Sequence, residues 1–373
     1  MRQLLFSLHK YTGLIAGLLL VVSGLTGSLL VFHDVLDEQL TPGLVSDVGT
    51  PLPLADIIAR ADAAIPDASP QRIDLARQPG SPHTLRFPSP EGSPGPRQIS
   101  VSPYSGEILA DRIWGNYPVT WIYRLHYTLL AGATGKIVVG VLGLCLLGFC
   151  LTGLYLWWPK PGKWKRALTL QRHAGRFRFH FDLHNVVGIY LLPVLLVIAF
   201  SGVSLVFSQQ VSTLVSALLP MEERPTPKSR PSDLPMLDAD QAVAAARTVF
   251  AEAELKRLYL PDGPDGSYRL AFNQPGEPWS DFGASSVWVD AYSGEILAAW
   301  DVLNVAAGSQ VMSWQFPLHN GDALGLPGRF LVLLSGIAPL LLFITGSYLW
   351  WQKRQLRLRA RRRRKGVATR LDP

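Results

Sequence analysis

Four long apolar blocks constrain this chain more than any other feature. They lie at 11–32, 137–158, 186–207 and 330–351, and none contains Lys, Arg, Asp or Glu. A helix rises about 1.5 Å per residue, so each block is long enough to cross a hydrocarbon layer of about 30 Å. The sequence therefore predicts four transmembrane helices, separated by two long polar inserts and one short basic loop.

The chain also repeats itself. A shift of 175 positions places His9 on His184 and Gly13 on Gly188, and TGSLLVF (26–32) on SGVSLVF (201–207). A shift of 193 positions places His126 on His319, and TGLYLWWPK (152–160) on TGSYLWWQK (345–353). YSGEILA recurs after 188 positions. These matches indicate an internal duplication in which each copy comprises helix, soluble insert and helix.

The distribution of charge predicts the topology. The segments 1–10, 159–185 and 352–373 hold 19 of the 35 Lys and Arg residues, and their only acidic residues are Asp182 and Asp372. Short basic segments favour the cytoplasmic side, so we expect both termini inside and both inserts outside. The net charge of +7 then reflects topology and does not indicate nucleic acid. The tail sequence RRRRK (361–365) is expected to contact anionic lipid.

The predicted domains follow from these two patterns. In chain order they are TM1 (11–32), soluble module 1 (34–116), TM2 (137–158), a basic cytoplasmic loop (159–185), TM3 (186–207), soluble module 2 (208–316), TM4 (330–351) and a basic cytoplasmic tail (352–373).

Each insert combines one amphipathic helix with short strands. Helical spacing is seen at 51–65 and at 238–254, the second with Asp238 or Asp240 as a plausible N-cap. Extended pieces rich in β-formers follow both helices. Tyr-Ser-Gly-Glu then places Ser-Gly between two apolar runs, which predicts a hairpin turn with positive φ. We therefore expect two small α+β modules.

The two cysteines exclude some chemistry. Cys145 and Cys150 lie five residues apart within one apolar block, so on a helix they point in different directions, and neither a disulfide nor a metal pair is favoured. There is no CxxCH motif, which excludes haem attached covalently through that motif. Rossmann, Walker and HExxH motifs are also absent.

These motifs together resemble a known family. The helix-plus-sheet inserts with their SGEI hairpins resemble PepSY modules, and LHxxxG and TGxYLWW at the helix ends are similar to the PepSY-associated transmembrane family of bacterial inner-membrane proteins. The resemblance runs from about residue 3 to 355. It implies a four-helix transmembrane bundle with two small α+β (PepSY-like) periplasmic modules. Within the family, the chain is most similar to ferric-siderophore reductases of the FoxB type, which carry two non-covalent haem b groups.

The repeat-matched histidines are the candidate haem ligands. The predicted topology puts His9 and His184 at the cytoplasmic mouth of the bundle, and His126 and His319 at the periplasmic mouth. An approximate twofold axis would bring the members of each pair face to face, an arrangement that suits bis-histidine ligation of a haem between helices. The alternative for each histidine is an interfacial side chain bonded to lipid headgroups or backbone.

The glycines that follow the first pair are candidate cofactor contacts. Gly13 and Gly188 lie one turn deeper than His9 and His184 on the same helical face. Without a side chain they would let a haem ring lie against the backbone. The alternative is close helix packing, which is common in membranes.

Other residues are weaker candidates. His33 and His180 are lesser candidate iron ligands, and we expect His83 and His173 to be solvated. Basic residues near the outer histidines would pair with haem propionates or anchor at headgroups; they are Arg124, Lys136 and Arg329. Tryptophans in the same region would form a docking surface or interface anchors; they are Trp114, Trp121 and Trp314.

The functional expectation follows from the resemblance. It implies a haem-dependent reductase that passes electrons outward to a periplasmic ferric siderophore and releases Fe(II). The electron donor would be a separate cytoplasmic reductase or a membrane quinol, because the short cytoplasmic segments hold no nucleotide or flavin motif. Two alternatives stay open: a non-redox PepSY module that binds a peptide or restrains a protease, and a haem subunit for another acceptor.

Overall fold

The computed structural model describes residues 1–368, with side chains up to residue 360. Their contacts divide the chain into two units. The helical unit comprises Met1–Val31, Leu125–Val206 and the described residues from Phe330 onward, and the sheet unit comprises Phe32–Arg124 and Phe207–Arg329. The side chains of the RRRRK segment, and with them the predicted lipid contact, lie outside the described residues.

The helices and strands have the following bounds. The helices are α1 (Arg2–Leu30), α2 (His33–Leu40), α3 (Leu54–Ala63), α4 (Pro118–Thr128), α5 (Gly132–Trp157), α6 (Trp164–Ala167), α7 (Arg176–Tyr190), α8 (Leu192–Val206), α9 (Ser208–Ser216), α10 (Ala239–Ala246), α11 (Ala307–Ser313), α12 (Gln315–Asn320) and α13 (Gly325–Ala368). The strands are β1 (Arg72–Asp74), β2 (His83–Arg86), β3 (Arg97–Val101), β4 (Ile108–Ile113), β5 (Glu254–Tyr259), β6 (Tyr268–Asn273), β7 (Ser285–Val289) and β8 (Ile296–Trp300).

The helical unit contains the membrane spans. Within the described residues, α1, α5 and the apolar part of α13 are each long and apolar enough to cross a membrane. A fourth span exists if α7 and α8 count as one, although they meet at a bend of 62°. The protein is therefore a membrane protein with three or four apolar spans.

The bend between α7 and α8 has a local cause. The sequence predicts one helix over 186–207, but the structure divides it at Leu191. Pro193 has no backbone N–H, and its ring crowds the carbonyl four residues earlier, so the regular ladder is interrupted there. Backbone bonds still run on either side of the gap, from Leu191 N to Val187 O (3.1 Å) and from Leu195 N to Leu191 O (2.8 Å).

Helices α1 and α13 approach each other closely through glycine. A Cβ added to Gly24 would lie 2.4 Å from the backbone oxygen of Gly336, and one added to Gly336 would lie 2.2 Å from Ser28 Oγ. The Ser28 hydroxyl donates across the same interface to Leu333 O at 2.8 Å. Small residues thus let the two backbones come into contact. Membrane helices commonly associate in this way, because the hydrophobic effect does not drive helices together inside a bilayer.

The sheet unit is built around one antiparallel sheet with the strand order β4-β3-β2-β1-β5-β6-β7-β8. Each half of the chain contributes one helix and a four-stranded meander, and the halves join where β1 pairs with β5. The sequence predicts two separate modules, but their strands form a continuous sheet. Helices α3 and α10 share one hydrophobic core with it.

The predicted caps and turns of the sheet unit are present. Asp238 forms a capping box with Gln241 at the start of α10, which confirms the first of the two alternatives for this N-cap. The second, Asp240, instead accepts the backbone N–H groups of Leu54 and Ala55 at 3.0 and 2.9 Å, so it caps α3 from the other half of the chain. The hairpin glycines at 106 and 294 have φ of 71° and 74°, as predicted.

Two expectations for this unit are wrong. The helix predicted over 238–254 ends at Ala246, because the chain turns there to place Phe250 in the core. His83, expected to be solvated, is only 8% exposed. It occupies a core-facing position of β2, where its Nδ1 accepts the N–H of Ala76 at 2.8 Å. Burial lowers the pKa of His83 to about 4.

The glycine contact predicts a packing-sensitive position. In Gly24→Ala, the added methyl group must displace the Gly336 carbonyl, so we expect about 1–3 kcal/mol of destabilisation. Thermal unfolding of the detergent-purified protein should therefore occur several degrees lower. Gly148→Ala is the matched control, because a Cβ there meets nothing within 4 Å. Equal melting temperatures for the two variants would contradict the close approach.

Buried His83 predicts a pH-dependent stability of the sheet unit. The folded-state pKa of about 4 lies below the unfolded value of about 6.5, so the unfolded state binds more protons between these values. Stability is then fully present above about pH 6.5 and falls as the pH drops toward 4, by about 3 kcal/mol at most. Hydrogen exchange of the sheet amides across this window measures the loss.

His83→Asn keeps an acceptor for the Ala76 N–H but does not titrate in this range. We expect it to remove most of the pH dependence. His173→Asn is the control, because His173 is exposed. A pH slope that persists in His83→Asn would assign the effect to other groups.

Candidate functional site

The structure brings two of the predicted histidines together in the helical unit. His9 lies on α1 and His184 on α7, and both are half-buried. Their ring centres are 6.4 Å apart, with ring planes inclined by 75°. The two imidazoles are therefore neighbours, although their helices are far apart in the sequence.

A threonine determines which nitrogen of His9 carries the proton. The His9 Nδ1 is 2.8 Å from Thr152 Oγ1, and the Thr152 hydroxyl donates to Gly148 O in its own helix at 2.6 Å. A hydroxyl that already donates its hydrogen can only accept a second bond. His9 must then donate from Nδ1, so its Nε2 carries a lone pair.

The same arrangement occurs at His184. Its Nδ1 is 2.9 Å from Thr345 Oγ1, and Thr345 in turn donates to Leu341 O at 2.7 Å. Thr345 is only 2% exposed, so water does not compete for this bond. Both imidazoles are thus oriented through Nδ1 and keep Nε2 as a base, as metal-binding histidines do when an outer partner holds the other nitrogen.

The spacing of the rings fits one metal between them. With imidazole–metal bonds of about 2 Å, two rings that bind one metal from opposite sides have centres roughly 6 Å apart. Among the described residues, no group of three or more His, Cys, Asp or Glu side chains is arranged to hold a metal. The pair alone supplies two nitrogen ligands, so a metal bound there would take its remaining ligands from another source.

The glycines near the pair leave space beside the rings. A Cβ at Gly13 would meet nothing within 4 Å, and one at Gly188 would meet only Leu342 Cδ2 at 3.8 Å. Close helix packing therefore does not account for Gly13. By contrast, Gly153 and Gly346 lie against the imidazoles, because a Cβ at each would be 3.5 Å from Cε1 of His9 and His184 respectively.

His126 is oriented in a similar way. Its Nδ1 is 2.8 Å from the backbone oxygen of Ser23 and 3.3 Å from Thr26 Oγ1. A carbonyl oxygen only accepts, so His126 donates from Nδ1 and its Nε2 carries the lone pair. The ring lies against Gly27, where a Cβ would be 2.9 Å from Cε1.

The remaining histidines occupy different surroundings. His319 is half-buried on α12 and belongs to the sheet unit, so its pairing with His126 stays a prediction. His33 begins α2, with its Nε2 3.2 Å from Asp34. His180 stacks on Tyr348 with ring centres 4.2 Å apart, and its buried Nδ1 has no hydrogen-bond partner among the described side chains and backbone.

The predicted propionate partners differ in their availability. Arg329 contacts Asp281 at 3.0 Å and Asp322 at 2.9 Å, so its charge is already balanced. Lys136 is exposed, and Arg124 lies 3.4 Å from the Gly115 carbonyl. The docking tryptophans Trp121 and Trp314 are 45% and 41% exposed, whereas Trp114 packs on Tyr123.

Sequence reasoning missed the threonines. The dipeptide Thr-Gly stands at 12, 26, 134, 152 and 345. In the structure, the threonines at 26, 152 and 345 each approach a histidine Nδ1, and the glycine after each makes room for that ring. A hydroxyl inside an apolar block needs a partner, but the dipeptide alone does not distinguish these three threonines from the one at 12.

Comparison with known proteins places the chain in a family. An uncharacterized protein of Pseudomonas aeruginosa is 29% identical over 259 residues, which cover 62% of this chain and 63% of that relative's length. Residues 6–353 match the PepSY-associated TM region, a family of membrane proteins. Because this match covers nearly the whole sequence, the chain belongs to the PepSY-associated transmembrane family.

Proposed function

We propose that this protein is an inner-membrane haem b protein that transfers electrons across the membrane to periplasmic ferric siderophores and releases Fe(II). The observation that carries the proposal is the His9–His184 pair. Two repeat-matched histidines are neighbours, and two repeat-matched threonines hold both Nδ1 protons. That arrangement leaves a lone pair on each Nε2 that can bind a metal.

The chain's own residues would hold and tune the cofactor. His9 and His184 would ligate one haem, and His126 and His319 are proposed for a second. Bound haem supplies one-electron exchange between ferric and ferrous iron. The threonine oxygens strengthen their imidazoles as bases and prevent rotation of the rings. Gly13 and Gly188 offer backbone surfaces without side chains, so a flat ring can lie against the helices.

The direction and the acceptor follow from topology and family resemblance. The basic segments favour a topology with both termini in the cytoplasm and both PepSY-like modules in the periplasm, and in our proposal the four spans form one bundle. The FoxB-type resemblance points to ferric siderophores as acceptors. These chelators bind the hard Fe(III) ion far better than Fe(II), so one electron per iron is enough to loosen the metal. The electron comes from a quinol or from a cytoplasmic reductase.

Absorption spectroscopy tests the proposal directly. We expect protein purified from haem-sufficient cells to show low-spin bands, two haems per chain, and reoxidation by a ferric siderophore after anaerobic reduction with dithionite. His9→Ala and His184→Ala should each remove one haem, while the exposed-site control His173→Ala keeps both. A colourless protein would contradict the proposal and favour a non-redox PepSY function. A coloured protein that the siderophore does not reoxidise would indicate another acceptor.

The threonines provide a finer test. Thr152→Val and Thr345→Val keep the side-chain shape but remove the acceptor of the imidazole Nδ1 proton. We expect haem affinity to fall by about 10- to 100-fold, and the midpoint potential to rise because a less basic imidazole stabilises ferric iron less. A potentiometric titration followed in the visible region measures both variants against Thr169→Val, an exposed threonine. Unchanged potentials would mean that the threonines only pack.

A further inference from the structure

A row of arginines crosses the sheet on the face opposite α3 and α10. The strand register places Arg86 directly opposite Arg72, Arg72 opposite Tyr259, and Tyr259 opposite Arg269. Neighbouring strands are about 4.8 Å apart, so this row extends over about 14 Å. The core-facing residues beside it, such as Leu85 and Leu258, are fully buried on the other face.

The row is not neutralised within the protein. Asp74 contacts Arg72 at 2.7 Å and also pairs with Arg257. Among the described residues, no carboxylate lies within ion-pair distance of Arg86 or Arg269, and the buried Nε of Arg72 has no hydrogen-bond partner. Like charges directly opposite each other destabilise a sheet. A sequence that keeps such a conflict often does so at a functional site.

Tyr259 lies at the centre of these charges. The guanidinium carbon of Arg269 is 3.6 Å from its ring centre, and those of Arg72 and Arg257 are 5.6 and 5.8 Å away. Arg257 also donates to the phenol oxygen at 3.2 Å. Although burial alone would raise the pKa of Tyr259, the surrounding arginines lower it. Burial, and after it the charge of Arg72, lower the pKa of Arg86, whereas the charge of Asp74 raises it.

A cavity adjoins the row through Arg224. This arginine donates to Ser286 Oγ at 2.7 Å and lies over the Trp288 ring at 5.8 Å; Trp288 stands opposite Arg269 in the register. Arg224 also lines a cavity of about 250 Å³ together with Trp300, Met312 and Glu222, whose carboxylate accepts the Ala306 N–H. The recess therefore combines one arginine and one carboxylate with apolar walls, and it is large enough for part of a small organic ligand.

We propose that the arginine row (Arg72, Arg86 and Arg269), together with Arg257 and Arg224 beside it, binds a multiply charged carboxylate ligand, and that negatively charged polycarboxylate iron chelates are the preferred substrates. Arginine charges spread along about 14 Å suit an extended anion with several carboxylates better than one compact phosphate. The side chains of Arg72 and Arg257 are only 15% and 14% exposed. Such recessed groups suit a small ligand better than a membrane surface. The substrate assignment rests on the proposed function; anion binding does not.

Calorimetry of the full-length protein in detergent tests the inference. The ligands are ferric citrate prepared with excess citrate, citrate alone, inorganic phosphate, and a positively charged trihydroxamate iron chelate. The variants are Arg86→Gln, Arg269→Gln and their double variant. Neither side chain makes an ion pair with a described residue, so the fold should tolerate the change. Arg247→Gln, an exposed arginine at the end of α10, is the matched control for net charge.

We expect ferric citrate to bind more tightly than phosphate or the trihydroxamate, and more weakly as salt rises. Each single substitution should weaken binding about tenfold, while Arg247→Gln leaves it unchanged. The inference is wrong if the double variant binds ferric citrate as tightly as the unaltered protein does, or if phosphate binds as tightly as ferric citrate. Haem content, read from the same samples, separates the proposals. A colourless protein that binds ferric citrate contradicts only the proposed function, and a haem-loaded protein that does not bind it contradicts only the arginine site.

Discussion

The cost of an unpaired polar group in hydrocarbon determines how the helical unit is built. Such a group costs several kcal/mol, so each histidine that enters the apolar region needs a partner. Threonine supplies that partner without introducing a charge, because its own hydrogen returns to the helix backbone four residues earlier. The same bond selects the tautomer. The requirement to satisfy Nδ1 therefore leaves Nε2 as the chemically active atom.

Glycine solves the complementary steric problem in the same helices. Gly24 and Gly336 allow two backbones to meet, whereas Gly153 and Gly346 allow the edge of an imidazole to approach a helix. Gly13 has open space around its Cα. One residue type thus performs different tasks along the same helices. The surroundings of each position distinguish packing glycines from those beside a candidate cofactor.

The sheet unit depends on a single strand pairing. When β1 and β5 join, two meanders become one sheet with a shared core, and Asp240 from the second half caps α3 of the first. The same pairing places Arg72 beside Tyr259 and so assembles the arginine row from both halves of the chain. The His9–His184 pair and the arginine row belong to different units, so each proposal stands on its own contacts.

Local patterns in the sequence determined the apolar spans, the repeat-matched histidines, the hairpin glycines at 106 and 294, and the Asp238 cap, because these depend on residues close together in the chain. Only the tertiary structure decided that Thr152 and Thr345 hold His9 and His184, across 143 and 161 residues. It also decided that His83 is buried, that Asp240 caps the other helix, and that the arginines of β1, β2, β5 and β6 align. These outcomes depend on strand register and helix packing, in which one residue of offset would direct the same side chains elsewhere.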